Sequence, residues 1–450
     1  MAERTMRTVR DLRRSNRSLL LRRLYFGGPL SRQDLIDTTT LSAASVSNVI
    51  GDLIGDGLVA EVGSVGSEGG RPRILLRVDC PRWHAIGVDV GETGVLVELF
   101  TLDLAVLARA EYPLPDGCGD VAAVVERIGS GLRSVIADSA VDQATIVGIG
   151  VGVPGVVEHG AVARTVVEPD AVERGFIEPR AVERGVARSR AQYSVVHGQT
   201  IGWDGVPLER LLRETGLLRP GMPLFIDNGA TTLGQAEMWF GAGRGARDVV
   251  IALIGSGVGA CVVADGSPYR GTGRSAGEWG HTTVQVGGRS CRCGSRGCLE
   301  AYVGAEAVIA RYHEAAHAAA TADPAGEESA IAAILAADER GEEPARAVLE
   351  ETAVYLGVGV ANLINLFNPE RIALGGWAGL MLGERLLPRV REIAGEYALR
   401  HAFATVDVQM CRLGPDAVAR GAATLPVAGF LAAASAQSSG LSRVAPAPSR

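Results

Sequence analysis

Three of the chain's seven cysteines lie close together, at Cys291, Cys293 and Cys298, and His281 precedes the first of them by ten residues. Three thiolates and one imidazole are the ligands of a closed tetrahedral Zn²⁺ site. Glycines between the cysteines let the chain fold back, so that the sulfurs can face one ion. Alternatives are free thiols that cluster by chance and a disulfide, which an odd cysteine number without export signals disfavours. The spacing therefore predicts Zn²⁺ bound by these four residues.

Two carboxylates, Glu278 and Glu300, bracket the predicted metal ligands. A metal ion bound there would organise a segment that also carries polar binding groups. We call residues 278–300 the cysteine loop.

Length and composition restrict the class of protein. A chain of 450 residues predicts two or three domains. It has no apolar run of 18 residues, so we expect no membrane span. A signal peptide requires an apolar stretch after its charged N-terminus, and this chain has none there, so we expect no signal peptide. We expect a cytoplasmic protein, because a reducing compartment suits thiolate ligands.

Charge is distributed unevenly along the chain. Residues 1–79 contain 12 Arg and 9 Asp or Glu, which gives a net charge of +3. The whole chain carries −7, so the remainder carries −10. A mildly basic first part before an acidic body is typical of an appended nucleic-acid-binding domain.

The pattern of residues 1–79 predicts a winged helix-turn-helix domain. A helix over 17–27 ends at a Gly-Gly-Pro sequence, and Ser31 and Ser42 are the expected N-caps of two further helices. Two strand-like stretches follow, at 58–62 and 74–78, and a glycine-rich loop separates them. Helix, helix, turn, helix and a two-stranded wing are the elements of this domain in their usual order.

The third helix of this domain is the predicted DNA-reading element. It would bury Val46, Val49 and Leu53, and it would leave small side chains and Asn48 outward, where an amide can bond adenine on two edges. Arginines on the glycine-rich loop could enter the minor groove or clamp phosphates. A protein-docking domain is the alternative, but this helix shows no exposed apolar or aromatic residue. The predicted DNA contacts are Arg32, Ser42, Ser45, Ser47, Asn48, Arg71 and Arg73.

From residue 83 onward, buried strands alternate with glycine turns and helices, which predicts an α/β body. Four of the turns, at 89–94, 152–155, 255–259 and 375–376, follow a strand and are rich in glycine. Such turns can bring backbone N–H groups to a phosphate, although each alone is more often a simple hairpin.

The order of these motifs resembles the ROK family, which comprises sugar kinases and repressors that carry a winged helix before the same kinase-like body. The resemblance covers roughly residues 10–425. Its carriers are Asp89-Val90-Gly91-Glu92-Thr93, Gly202-Trp203-Asp204-Gly205-Val206-Pro207-Leu208, Gly255-Ser256-Gly257-Val258-Gly259, Ala276-Gly277-Glu278-Trp279-Gly280-His281, and the run from Cys291 to Glu300.

The resemblance implies an actin-like, ribonuclease-H-like body of two lobes with a sugar cleft between them. The first lobe would span 84–200 and be completed by about 400–430, and the second lobe, with the zinc site, would span 201–399. It also implies that Asn228, Glu278, His281 and Glu300 bind the sugar, with zinc fixing the loop that carries the last three.

Two departures from the family pattern concern catalysis. Where family kinases carry Glu-Asn-Asp, this chain has Asp227-Asn228-Gly229, so glycine replaces the catalytic Asp that takes the proton of the attacking hydroxyl. A shift of two residues would place Asp227 there, at the cost of neighbouring matches. In the first phosphate turn, Glu92 replaces a glycine and Gly94 replaces a lysine, and a carboxylate repels nucleotide phosphates. We therefore predict no catalytic residues and no enzyme activity.

Two segments remain outside these motifs. The sequence Ala-Val-Glu-Arg-Gly occurs at 171–175 and again at 181–185, which we interpret as a surface insertion. Residues 432–450 are rich in Ala, Ser and Pro and are predicted to be disordered.

The sequence is thus interpreted as a sugar- or phosphosugar-responsive transcriptional regulator, expected to be a repressor. Its expected partners are operator DNA, the sugar or sugar-phosphate effector, and copies of itself in a homodimer or homotetramer. One alternative is an active ROK sugar kinase with an attached DNA-binding domain, which ATP consumption would distinguish. The other is a regulator controlled by a docking protein, which an exposed apolar patch on the body would favour.

Overall fold

The computed structural model describes residues 9–67, 70–114, 117–158, 193–317 and 326–433. Both copies of the repeat at 171–175 and 181–185, and residues 434–450 of the predicted tail, lie outside these ranges. The described chain forms a small head and a two-lobed α/β body.

The head has the predicted order of helices and wing strands, with one additional strand, β1, that was not predicted and that makes a three-stranded sheet. Its elements are α1 (Val9–Gly27), β1 (Leu30–Ser31), α2 (Arg32–Thr38), α3 (Ala43–Gly55), β2 (Val59–Ser67) and β3 (Gly70–Val78). The strands lie in the order β1-β3-β2. Helix α1 begins eight residues before the predicted start, because its first turns continue past the apolar positions that suggested a helix.

The wing differs from its prediction. Strands β2 and β3 are nine residues each, so residues 70–73 belong to a strand and not to a glycine-rich loop. The pairing extends because its register shifts between Val65 and Ser67, opposite Pro72, which has no N–H to donate to a regular ladder. Arg73 consequently projects from a strand rather than from a loop tip.

The predicted helix caps and the core of the head are confirmed. Ser31 forms a capping box with Asp34, and the Ser42 hydroxyl accepts a hydrogen bond from the backbone N–H of Ser45. The buried face of α3 consists of Val46, Val49, Ile50 and Leu53.

The first lobe is built on a five-stranded sheet in the order β11-β7-β4-β5-β6. Its strands are β4 (His84–Val90), β5 (Gly94–Thr101), β6 (Val106–Pro113), β7 (Ile146–Val153) and β11 (Leu224–Asn228). Helix α4 (Val121–Ser139) packs on this sheet, and a small second sheet contains β8 (Val156–Glu158), β9 (Val195–Gly198) and β10 (Trp203–Val206). Strand β11 pairs in parallel with β7, so the first lobe extends past the expected limit at residue 200.

The C-terminal helix α13 (Ala417–Ala433) packs on the sheet of the first lobe. The return to this lobe therefore begins near residue 417 and not near 400, because Asp407–Met410 pairs with Arg371–Gly375 in the second sheet. The helix also includes residues 432 and 433 of the predicted tail. It lies so close to the sheet that a Cβ at Gly87 would be 1.9 Å from the Ala419 carbonyl oxygen. A Cβ at Gly150 would be 1.8 Å from that of Ala422. These two glycines are therefore required by the close approach of helix to strands.

The second lobe has a five-stranded sheet in the order β14-β13-β12-β15-β16. Its strands are β12 (Val249–Ile254), β13 (Val258–Ala264), β14 (Ser267–Pro268), β15 (Arg371–Gly375) and β16 (Asp407–Met410). The remaining helices of the body are α5 (Leu208–Glu214), α6 (Gly229–Phe240), α7 (Glu300–Val303), α8 (Ala305–Ala315), α9 (Glu327–Glu339), α10 (Glu343–Phe367), α11 (Trp377–Tyr397) and α12 (Arg400–Phe403).

Helix α10 is, among the described helices, the one long and apolar enough to cross a membrane. However, 61% of its most apolar window is buried inside the protein, where it packs against α11. It is therefore interpreted as the core helix of the second lobe.

A buried carboxyl group lies where β5 faces α13. Glu98 is 1% exposed, and its Oε1 atom is 3.8 Å from Nη1 of Arg109, which also binds Asp416 at 2.6 Å. Its Oε2 atom has no hydrogen-bond partner within the described residues. Burial, together with the charge of Asp416, raises the pKa of Glu98 from 4.5 to about 7.

We expect Glu98→Gln to stabilise the protein at about pH 8 and to have little effect near about pH 4.5. The raised pKa means that the folded state holds a proton that the unfolded state releases. This contribution to stability is complete below about pH 4.5 and is lost as the pH rises through about 7. A neutral amide removes the penalty of a buried charge, and the thermal midpoint should rise by about 2 °C for each kcal/mol.

Glu111→Gln is the matched control, because Glu111 also binds Arg109 but its side chain is 64% exposed. The account of Glu98 fails if its variant shows the same change in midpoint at both pH values.

Candidate metal centre and ligand site

The structure brings the four predicted metal ligands together. Ligand atoms of His281, Cys291, Cys293 and Cys298 all lie within 4.8 Å of one another. The Cys293 and Cys298 sulfurs are 3.8 Å apart, and Nδ1 of His281 is 3.7 Å from the Cys291 sulfur. A tetrahedron with metal–sulfur distances of about 2.3 Å has edges of roughly 3.8 Å, so the cluster fits a divalent metal ion.

The pKa values of the three thiols are shifted in different directions. Burial raises the pKa of Cys291 to about 12, and burial also raises that of Cys298. For Cys293, hydrogen bonds from Ser295 and the neighbouring thiols outweigh burial and lower the pKa. A bound metal ion would deprotonate all three, because its charge stabilises thiolates.

Local backbone contacts hold the cysteine loop in shape. The N–H of Cys291 donates to the Ser295 carbonyl at 2.9 Å. A Cβ at Gly297 would lie 1.7 Å from the Gln285 carbonyl oxygen, and Gly297 has a φ of +75°, so this turn requires glycine. The buried Tyr302 hydroxyl donates to the Gln285 side chain at 2.8 Å and ties the loop to α7.

Three of the four predicted sugar-binding residues, Glu278, His281 and Glu300, lie in or next to the cluster of candidate metal ligands. Glu278 is half-buried, and burial, partly offset by His281, raises its pKa. His281 turns Nδ1 toward the sulfurs, which leaves Nε2 for a ligand. Glu300 is 5% exposed; its Oε2 atom accepts the Val258 N–H at 2.9 Å, whereas the contacts of Oε1 are 3.5 Å or longer.

Asn228, the fourth predicted residue, is the N-cap of α6. Its Oδ1 atom accepts from the N–H groups of Ala230 and Thr231, and its Nδ2 donates to the Gly155 carbonyl at 2.8 Å. Its acceptor is therefore used within the protein, and one amide hydrogen remains for a ligand.

The geometry around Gly229 bears on the missing catalytic carboxylate. Gly229 is the first residue of α6, and a Cβ there would meet no atom closer than 3.7 Å, so space for a side chain exists. Asp227 is 4% exposed and forms a two-point ion pair with Arg270, at 2.8 and 2.6 Å. The carboxylate of Asp227 is therefore paired with Arg270, although a general base would have to accept a proton from the sugar hydroxyl.

An ion pair joins the glycine turn at 89–94 to the cysteine loop. Arg292 donates through Nη2 to Oε1 of Glu92 at 3.1 Å and through Nη1 to Oε2. Gln199 of the first lobe also donates to the Cys293 carbonyl at 2.7 Å. These contacts connect the first lobe to the cysteine loop of the second.

The predicted DNA-binding residues of the head differ in exposure and in their contacts. Ser42, Ser47 and Asn48 are exposed, and Ser45 is partly covered because its N–H bonds Ser42. Arg32 bonds Glu61 of β2 at 3.3 Å.

The two wing arginines are placed differently from one another. The exposed side chain of Arg73 lies 4.0 Å from Asp34. The backbone of Arg71 belongs to β3, but its side chain lies outside the described part of the chain.

Four aromatic residues connect the head to the body, and we call them the aromatic joint. They are Tyr25 and Phe26 at the end of α1, and Trp239 and Phe240 at the end of α6. The Phe26 and Trp239 rings meet edge to face with centroids 5.0 Å apart, and those of Tyr25 and Trp239 are 6.0 Å apart. Helix α6 therefore has its first residue beside Asn228, one of the predicted sugar-binding residues, and its last residues against the head.

Sequence reasoning missed the Arg292–Glu92 pair, the Asp227–Arg270 pair and the aromatic joint. The partners of the first pair are 200 residues apart, and no local pattern links them. The Tyr-Phe and Trp-Phe sequences at two predicted helix ends are a usable signal for the joint, since paired aromatics at helix ends often mark a contact surface.

The profile of the ROK family matches residues 85–428, so the chain belongs to the ROK family. It is 26% identical over 424 residues to the xylose repressor of Caldicellulosiruptor bescii, covering 93% of this chain and 97% of that protein. It is 27% identical over 388 residues to the DNA-binding transcriptional dual regulator NagC of Escherichia coli, covering 84% of both. A glucokinase of Halalkalibacterium halodurans is 31% identical over 344 residues, covering 75% of this chain and 92% of the kinase.

Two solved structures show the same fold. A ROK family transcriptional regulator described as a homologue of the Escherichia coli MLC protein aligns with a TM-score of 0.69 and 23% identity, over 94% of this chain and 97% of the other. A ROK family glucokinase from Streptomyces griseus, in complex with glucose and AMPPNP, aligns with a TM-score of 0.57 and 24% identity, over 76% of this chain and 98% of the kinase. The regulator covers the head as well as the body, whereas the kinase covers about as much as the body alone.

Proposed function

We propose that this chain is a sugar-responsive transcriptional repressor whose head binds operator DNA and whose body binds the sugar without phosphorylating it. The observation that carries this proposal is helix α6, which starts at Asn228, one of the proposed sugar contacts, and ends against the head. The xylose repressor of Caldicellulosiruptor bescii and the regulator NagC are matched over 93% and 84% of this chain, which supports a function that uses both parts.

The proposed sugar contacts are Asn228, Glu278, His281 and Glu300. They offer a free amide hydrogen, two carboxylates and an imidazole nitrogen, which suit the hydroxyl groups of a sugar. The proposed contacts to DNA bases come from the α3 region. Arginine side chains are proposed to contact the phosphate backbone of the DNA and so to position the head on it. The first group is Ser42, Ser45, Ser47 and Asn48, and the second is Arg32, Arg71 and Arg73.

An active kinase is the enzyme alternative, supported by the glucokinase relative. It is disfavoured because Gly229 offers no general base, Asp227 is paired with Arg270, and the Glu92 carboxylate stands at a phosphate turn. We therefore propose that the body has no catalytic residues.

We propose that Zn²⁺ is the metal held by His281, Cys291, Cys293 and Cys298, because three sulfurs and one nitrogen in a closed tetrahedron suit this ion. The ion would fix the loop that carries Glu278 and Glu300.

Protein purified without chelators should contain about one zinc per chain, and Cys291→Ser should lose it, because the remaining three ligands leave the site open. Elemental analysis measures this directly. Cys118→Ser is the control. Cys118 is buried in the first lobe, away from the cluster, so this variant should keep its zinc. Wild-type protein with far less than one zinc per chain would show that the cluster is not a zinc site.

Asn48→Ala should weaken operator binding by on the order of 1–3 kcal/mol at one base position, because Asn can bond adenine at two points. The measurement is a titration of DNA from the region upstream of the gene, with base substitutions along the site.

Arg73→Ala serves as the comparison. Loss of a phosphate contact should weaken binding to all DNA sequences equally. It should also lower the slope of log affinity against log salt concentration by about one. Failure of the wild-type chain to bind that DNA at low salt would contradict the proposed function of the head.

Trp239→Ala should uncouple the two sites. Each ligand should still bind, but the ratio of operator dissociation constants with and without sugar should fall toward one. In coupled proteins this ratio is typically about 5 to 150. D-xylose, D-glucose and N-acetyl-D-glucosamine are the sugars to test, as suggested by the relatives' names.

Trp239→Phe should restore coupling because it keeps a ring in the joint, and Tyr269→Ala is the control at an aromatic residue exposed elsewhere. Full coupling in Trp239→Ala would show that the joint does not carry the signal.

We also propose a homo-oligomer. An exposed apolar patch consists of Leu366, Phe367, Tyr397 and Leu399 at the ends of α10 and α11, and a second copy of the chain is the occupant we favour. The same patch keeps open the alternative of a regulator controlled by a docking protein, which sugar-insensitive DNA binding would favour.

A further inference from the structure

We infer that the ligand site selects an uncharged sugar over a sugar phosphate. The reason is that carboxylates of the chain itself occupy the space between the glycine turn at 89–94 and the glycine turn at 255–259. This inference rests on the proposed function and specifies the class of effector.

The first step concerns the position of Glu92. It projects from the turn between β4 and β5 toward the turn between β12 and β13. A Cβ placed on Gly257 of that second turn would lie 3.0 Å from Oε1 of Glu92 and 3.2 Å from Oε2 of Glu300. Two carboxylates therefore already meet at the backbone where an incoming phosphate would seek N–H donors.

The second step concerns those donors. The Val258 N–H is used by Glu300 at 2.9 Å. The N–H groups of Gly91 and Gly255 close their own turns, by donating to the carbonyls of Gly94 and Gly257 at 2.9 Å. These three amides are therefore not available to an anion from outside.

The third step concerns charge. Arg292 is the guanidinium between the turns, and besides Glu92 it lies 3.2 Å from Glu306 and 3.5 Å from Glu300. A fourth carboxylate, Glu327, accepts a hydrogen bond from the Ser256 hydroxyl. Four carboxylates around one guanidinium leave a net charge of −3.

The environment of Glu327 reflects this negative field. Burial and the charges of Glu92 and Glu306 raise its pKa, and they outweigh the opposing effects of Ser256 and Arg292. The side chains of Glu92 and Glu300 are 18% and 7% exposed, so water screens their charges little. A phosphate group next to these residues would be repelled, whereas hydroxyl groups can donate to the carboxylates.

Arg274 is the group through which a phosphate would bind if the inference were wrong. It lies near Asp227 and Arg270, and its Nε atom is buried without a hydrogen-bond partner in the described chain. It therefore supplies the variant that identifies the opposite result.

The test is calorimetric titration of the full-length protein with D-glucose, N-acetyl-D-glucosamine and D-xylose, and with the 6-phosphates of the first two sugars and the 5-phosphate of the third. We expect one of the neutral sugars to bind and its phosphate to bind at least about tenfold more weakly, because like charges at a binding site suppress the wrong partner. Glu92→Gln should narrow this difference while leaving the neutral sugar's affinity nearly unchanged.

Glu306→Gln is the control. The Glu306 side chain is 57% exposed, so water screens its charge better, and this variant should narrow the difference in affinity between sugar and sugar phosphate less than Glu92→Gln does. A phosphate that binds more tightly than its neutral sugar, and loses this advantage in Arg274→Gln, overturns the inference and leaves the proposed function intact. An unchanged difference in Glu92→Gln also overturns it. If neither class of sugar binds, the proposed function fails and the inference fails with it.

Discussion

Helix α6 is the constraint on which the rest of the molecule depends. Asn228 caps its first turn and binds the Gly155 carbonyl of the first lobe. Near its other end, the fully buried Glu237 accepts hydrogen bonds from the N–H groups of Ala242, Arg412 and Leu413, at 2.6 to 2.9 Å. Removing that carboxylate would leave three backbone donors without a partner, which is costly in a protein interior. The helix is therefore fixed at both ends, and a displacement at one end must be taken up at the other.

The head is attached to this helix and to the first lobe through a shared core. The Tyr25 hydroxyl donates to the Leu102 carbonyl at 2.7 Å, and the Trp83 indole N–H donates to the Gly57 carbonyl at 3.1 Å. Residues of α13 lie in the same apolar cluster as those of α1 and α3. A head packed in this way is coupled to the first lobe, so a change in the relation of the lobes would alter the spacing of two heads in the proposed homo-oligomer.

How much could be predicted from the sequence depended on how local each feature is. The cluster of His281 and three cysteines and the caps at Ser31 and Ser42 were predictable, because their partners lie within about twenty residues and each has a characteristic spacing. Strand β11 was assigned to the wrong lobe, because a single strand pattern does not say which sheet it joins. The wing loop was misplaced, because its glycines were interpreted as loop residues, whereas the strand pair continues with a shifted register up to Ser67 and Gly70. The Arg292–Glu92 pair depends on the packing of two lobes, which no local pattern records.

The central claim is that a sugar bound near Asn228, at the start of α6, changes the head through the contacts of the aromatic joint. The most direct measurement is backbone amide hydrogen exchange of the full-length protein, with and without a sugar that binds. The account predicts changed exchange at residues 229–240 of α6 and also at residues 20–27 of α1. A change confined to the cysteine loop, with residues 20–27 unaffected at saturating sugar, would contradict it.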